Sequence, residues 1–223
     1  MCFAPYISLS TFVIEFLLSL FFLLKNPKDN LNRIIALISF LLGIYQLNEF
    51  LICTTGLNIF TKLALVTIAI LPGLAITYAL ILLRKKIKWY WHAFMYIPAL
   101  FFILMFILSN YLKESGFCKT IFIQYPGLGL LGKFFGLYYL MYIVGAIILF
   151  YFISSRAKSK FERRLIHLCM LGMFIFTVPT VIFLLFLPAF EIQFASVLCE
   201  FALLLAIEFI IVLWYKNKNN LKY

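Results

Sequence analysis

With 65% hydrophobic and 12% charged side chains over 223 residues, the chain carries about half the roughly 25% charged residues usual in a soluble domain. That supply cannot coat a globular surface, and the composition predicts an all-α, polytopic integral membrane protein whose first partner is the lipid bilayer. A formal charge of +11 would suggest nucleic acid in a soluble protein. Here the basic residues lie between apolar stretches, so they orient the chain in a membrane and no nucleic acid is expected.

In chain order, the first apolar span reaches Leu24 with no Lys or Arg ahead of Lys25. A cleavable signal peptide has its positive charge before the apolar core, so this segment is expected to stay attached. Hydropathy then gives seven spans, at about 6–24, 33–54, 60–83, 89–110, 133–153, 166–187 and 193–214. They form a single transmembrane domain over 1–215, followed by a short basic tail over 216–223. The first, third and fifth links and the tail hold Lys25, Lys28, Arg33, Arg84, Lys85, Lys86, Lys88, Arg156, Lys158, Lys160, Arg163, Arg164, Lys216, Lys218 and Lys222, fifteen of the nineteen basic residues. The other side has only Lys62, Lys113, Lys119 and Lys133. By the positive-inside rule the N-terminus is outside and the C-terminus cytoplasmic, in a cytoplasmic (plasma) membrane. Trp89, Trp91 and Trp214 sit at span ends, where interfacial aromatics belong.

The second span carries Gln46, Asn48 and Glu49 near its outer end. A charged residue at the centre of a membrane helix costs about 2.5–3.5 kcal/mol on insertion scales, so Glu49 needs a partner, a proton or a wet cavity. At 1.5 Å per residue Glu49 is roughly 8 Å deep and Glu200, in the seventh span, roughly 10 Å deep. The two are at similar depth, and Tyr138, Tyr139 and Tyr142 of the fifth span and Thr177 and Thr180 of the sixth also reach the outer half. Two readings stand. Gln46, Glu49, Glu200, Tyr138, Tyr142 and Thr177 outline an outward-opening pocket for a small ligand, a cation or a proton. Alternatively, the two acids are hydrogen-bonded glue between helices. Glu15 and Glu208 are further acids within spans; Arg33, Lys62 and Lys133 stand only at or near the ends of theirs, and no Lys or Arg within the spans could neutralise the acids.

Four cysteines, Cys2, Cys53, Cys118 and Cys199, fall near the outer face, and a disulfide of Cys118 with Cys199 or with Cys53 would tie the outer loop to a helix end. Free buried thiols are the other reading. No CxxC occurs and only two histidines, His92 and His167, are present, so no metal site and no cofactor is expected. Gly127 to Gly132 match a dinucleotide fingerprint in letters, but Pro126 precedes them and a membrane helix follows, which removes the strand the motif requires. Gly132 and Gly136 form a GxxxG that predicts a close helix approach. The last span has no lysine for a retinal Schiff base, and no GxSxG occurs; enzymatic chemistry is not expected.

The stretches NPKDNLNRIIALISFLLGIYQLNEFL, AILPGLAITYALILLRKK and YIPAL resemble the seven-helix N-terminal membrane sensor region of bacterial histidine kinases. In that family an Asn/Arg-bearing link enters the second helix and a proline lies in the third. The resemblance implies a sensory or receptor-like module, here without a kinase domain and therefore needing a separate signalling partner at the cytoplasmic face. It implies no catalytic residue. A small cation- or proton-coupled transporter or channel, and an accessory membrane subunit, are the alternative functions.

Overall fold

Helix ends are set by local chemistry that can be traced residue by residue. In the computed structural model, which describes residues 4–84, 88–108, 116–118, 123–125, 129–157, 159–186, 201–219 and 221, α1 spans Ala4–Lys25 and α2 spans Asn30–Thr55. Asp29 caps α2 by accepting from the Asn32 N–H at 3.1 Å. Gly56 ends the helix in the left-handed region (φ 67°), its N–H returning to the Ile52 carbonyl, a conformation that carries a penalty for residues with a Cβ. Next come α3 (Asn58–Leu82), α4 (Trp89–Leu108), the two-residue strands β1 (Phe117–Cys118) and β2 (Ile123–Gln124), α5 (Gly129–Ser155), α6 (Lys160–Phe186) and α7 (Ala202–Lys218). Seven helices are thus seen among the described residues, and the only strands there are β1 and β2, paired antiparallel with Cys118 opposite Ile123.

Four of the helices, Pro5–Lys25, Asn30–Thr55, Asn58–Leu82 and Gly129–Ser155, are long and apolar enough to cross a membrane, and Ala93–Leu108 is a shorter apolar helix. The seventh span was expected from 193; α7 begins at Ala202, and 187–200 lie outside the described residues.

Each helix packs on the next in sequence at the α1–α2, α2–α3, α3–α4, α5–α6 and α6–α7 contacts, while α3 also packs on α5, and α7 returns to α1 and α2. The result is a closed ring of α1, α2, α3, α5, α6 and α7, with α4 outside it against α3. Tyr78 of α3 fills the middle of the ring, its phenol edge-on to Phe150 of α5 at 5.4 Å and to Phe209 of α7 at 5.9 Å. The faces turned away from the ring are as apolar as the interior: Leu17, Phe101, Met141 and Tyr151 are all exposed.

The α1–α2 contact is unusually polar. Ser8, Thr11, Glu15 and Ser19 recur every three or four residues and are all buried, so they share one face of α1. Ser19 donates to the Ala36 carbonyl at 2.8 Å, and the Asn32 amide to the Phe22 carbonyl at 3.0 Å. The expected close approach at Gly132 and Gly136 is not made at the second glycine, where a Cβ would meet nothing within 4 Å. The intimate contact lies at Gly172 of α6 instead, where a Cβ would stand 2.5 Å from the Glu208 carboxyl of α7. The Gly136 face simply points out of the ring, so spacing alone misplaced the seam.

The two ends of the bundle differ. One end gathers the links that follow α1, α3 and α5. Here Arg84 lies 3.7 Å from Glu162, and Lys216 lies 2.7 Å from Asp29. The other end carries the Gly56 turn and the β1–β2 hairpin.

Candidate functional site

The site is best built from one face of α2. Tyr45, Glu49 and Cys53 are spaced by four, so they stack along one stripe, and each meets a different group at the hairpin end. The Tyr45 hydroxyl donates to Glu49 Oε1 at 2.7 Å, and the same hydroxyl lies 2.8 Å from that of Tyr125. A phenol has a single proton. With Glu49 ionised and Tyr45 donating to it, Tyr125 must donate to Tyr45; with Glu49 protonated, the chain of hydroxyls can run the other way. Glu49 is 5% exposed, Tyr45 0% and Tyr125 1%, so this carboxyl is covered rather than open to the outside.

The cover is the hairpin, which Tyr125 follows directly. Cys118 of β1 is disulfide-bonded to Cys53 of α2, with Cα atoms 5.5 Å apart. Of the two partners expected for Cys118, Cys53 is the one that meets it and Cys199 is not: Cys53 stands one turn beyond Glu49, directly under β1. Cys199 itself lies outside the described residues. The Gly116 N–H, just before β1, donates to the Thr61 Oγ1 of α3 at 2.9 Å. A covalent bond to α2 and a hydrogen bond to α3 therefore hold the hairpin over the α2–α3 turn, with Tyr125 reaching down to Tyr45.

The other expected site residues separate into groups. Gln46 is buried one turn below Glu49 on α2. Tyr138 and Tyr142 belong to a different seam: Tyr138 donates to the Ala69 carbonyl of α3 at 2.9 Å, and Tyr142 to the Met95 carbonyl of α4 at 3.0 Å. Tyr138 also stacks on Phe102 of α4 at 5.1 Å. The hydroxyls of the two tyrosines are thus used to fix α5 to α3 and to α4. Thr177 is buried on α6, and its hydroxyl has no hydrogen-bond partner among the described residues. Glu200 lies outside the described residues, so the pairing of Glu200 with Glu49 does too. His167 meets Ser154 at 2.6 Å and pins α6 to α5. Among the described residues no three His, Cys, Asp or Glu side chains come together as a metal site.

Two more acids lie deeper in the bundle. Glu15 and Glu208 are both buried, and neither carboxyl has a hydrogen-bond partner among the described residues. Glu208 shares its surroundings with the Tyr78 hydroxyl and the Cys169 thiol, on the inner side of Gly172.

Sequence reasoning singled out Glu49 and Gln46 but neither Tyr45 nor Tyr125. The four-residue spacing Tyr45–Glu49–Cys53 was available as a signal. Tyr125 gave none, because a loop position has no periodicity to assign its direction. Compared with protein-family models, with curated proteins and with solved structures, the chain matches none.

Proposed function

We propose that this chain is an integral membrane protein of the cytoplasmic membrane, with seven spans, its N-terminus outside and its C-terminus in the cytoplasm, acting as a stand-alone sensory or receptor-like module. Apolar outward faces on α1, α4 and α5 support the membrane, since water would penalise them and lipid does not. The disulfide at the end poor in Lys and Arg supports the orientation, because that end then faces an oxidising compartment. The observation that carries the sensory reading is the Glu49–Tyr45–Tyr125 chain. It links a buried carboxyl to a loop that meets the outside, so a cation, an amine or a proton arriving there changes what holds the hairpin down. A separate signalling partner would read the change at the basic end.

A second reading, a small cation- or proton-coupled transporter, draws on Glu15 and Glu208. Their carboxyls have no hydrogen-bond partner among the described residues and sit nearer the middle of their helices than Glu49 does, as stations along a path would.

The test is a thermal-unfolding screen of the purified full-length protein against monovalent and divalent cations and small amines, together with a scan from about pH 4 to 9. A ligand at about 100 times its Kd stabilises by about 2.7 kcal/mol, which raises Tm by about 5–10 °C in a chain of this size. Wild type is expected to respond to one of these probes or to titrate, and Glu49→Gln to lose that response. An unchanged response in Glu49→Gln, or none in wild type, sinks the reading. Proton or cation flux into proteoliposomes that Glu15→Gln abolishes would favour the transporter.

A further inference from the structure

At the basic end, far from Glu49, a cavity of about 560 Å³ opens between the ends of α3, α5 and α6. Its polar lining comes from Arg84, Arg156, Ser159 and Glu162. Its floor is apolar, with Leu82, Ile153 and Ile166. Arg84 sits just past α3 with φ 54°, a left-handed conformation disfavoured for a residue with a Cβ and worth notice where it borders a cavity. Arg156 follows α5, is exposed, and makes no side-chain hydrogen bond or ion pair among the described residues. Lys160, Arg163 and Arg164 stand on the first turns of α6 beside it, so the local field is strongly positive although Glu162 lies within the cavity.

We propose that this cavity binds a phosphate-bearing anion, presented as the headgroup of an anionic lipid in the surrounding leaflet. Two guanidiniums at one mouth match phosphate oxygens, which Arg recognises with paired N–H donors. The apolar floor takes the glycerol and first methylenes, which a free anion lacks. Basic pockets between helices at a membrane face suit such headgroups. Glu162 opposes the ligand, and its 3.7 Å contact with Arg84 is the interaction that binding weakens. The site is independent of the Glu49 chain and stands or falls separately from it.

The experiment titrates full-length protein in neutral detergent with phosphatidylglycerol, with phosphatidylcholine and with inorganic phosphate, reading Tm. Arg156→Gln, Glu162→Gln and Lys25→Gln are compared with wild type. Lys25 is on the same end but on α1, and tests general charge. Phosphatidylglycerol is expected to raise Tm where phosphatidylcholine does not. Arg156→Gln should weaken the apparent affinity about tenfold, the loss of a charge-assisted hydrogen bond, while Lys25→Gln changes it less than about twofold. Glu162→Gln, which removes the competing carboxylate, should tighten it about threefold or more. Equal responses to the two lipids, or equal losses in Arg156→Gln and Lys25→Gln, overturn the site. If inorganic phosphate alone reproduces the Arg156-dependent rise, the lipid assignment is overturned; if it does not, the apolar floor is part of recognition and the lipid assignment holds.

Discussion

Lys216 has the sequence surroundings of a solvated tail lysine, yet it is 1% exposed and 2.7 Å from Asp29. Its ammonium also donates to the Asn32 side chain. Burial draws this lysine, two residues past Trp214, below its ordinary pKa, and the hydrogen bond and charge of Asp29 work against that pull. Asp29 in turn caps α2, so one carboxylate secures both a helix start and the end of α7. Removing one partner of a buried pair leaves the other charge uncompensated, at a cost of about 3–5 kcal/mol. Lys216→Met should therefore lower Tm by about 6 °C or more. Lys216→Met combined with Asp29→Asn should lose less than the sum of the two single losses, the signature of a direct interaction. Thermal unfolding of the four proteins in one detergent measures both.

Among the elements, the hairpin depends most on its fastenings. Two-residue strands cannot hold a sheet on their own, and β1–β2 stays over Glu49 because Cys118 is bonded to Cys53 and Gly116 to Thr61. The cysteines are 65 residues apart in sequence, and closing a loop of that length stabilises by up to about 4 kcal/mol on the chain-entropy account. Reduction, or Cys53→Ser with Cys118→Ser, should lower Tm and make the segment near Tyr125 the first cut in limited proteolysis. An unchanged cleavage pattern would mean that the hydrogen bonds alone hold the hairpin. The α1–α2 pair has no such clamp. It is joined by Ser19, Asn32 and a stripe of small polar residues, which let the two backbones approach and leave Glu15 enclosed between them.

For the whole molecule, the proposed orientation makes a direct prediction. A fluorescent protein fused after Tyr223 should fold and emit, since it does so only in the cytoplasm, whereas alkaline phosphatase at the same place should be inactive. Phosphatase fused after Gln124 should be active. Reversal of either result would invert the topology. Much of this architecture was legible in the chain, because helices long and apolar enough to cross a membrane announce themselves by length and apolar content alone. The second helix, expected over 33–54, forms over 30–55, and the third, expected over 60–83, forms over 58–82. Glu49 was legible for the same reason: a carboxylate stands out in an apolar stretch.

Composition and spacing by themselves determined the helical architecture, the gathering of basic residues in alternate links and the presence of acids within apolar helices. Each follows from transfer free energy, which acts on one residue or one segment at a time. Which residues meet was decided only by the tertiary structure. Cys53 rather than Cys199 as the partner of Cys118, Tyr125 above Tyr45, Lys216 against Asp29 and Gly172 against Glu208 all join segments distant in sequence. Such contacts depend on which helices are neighbours in the ring and how each is rotated about its axis, and a uniformly apolar helix carries little periodicity from which to read that rotation.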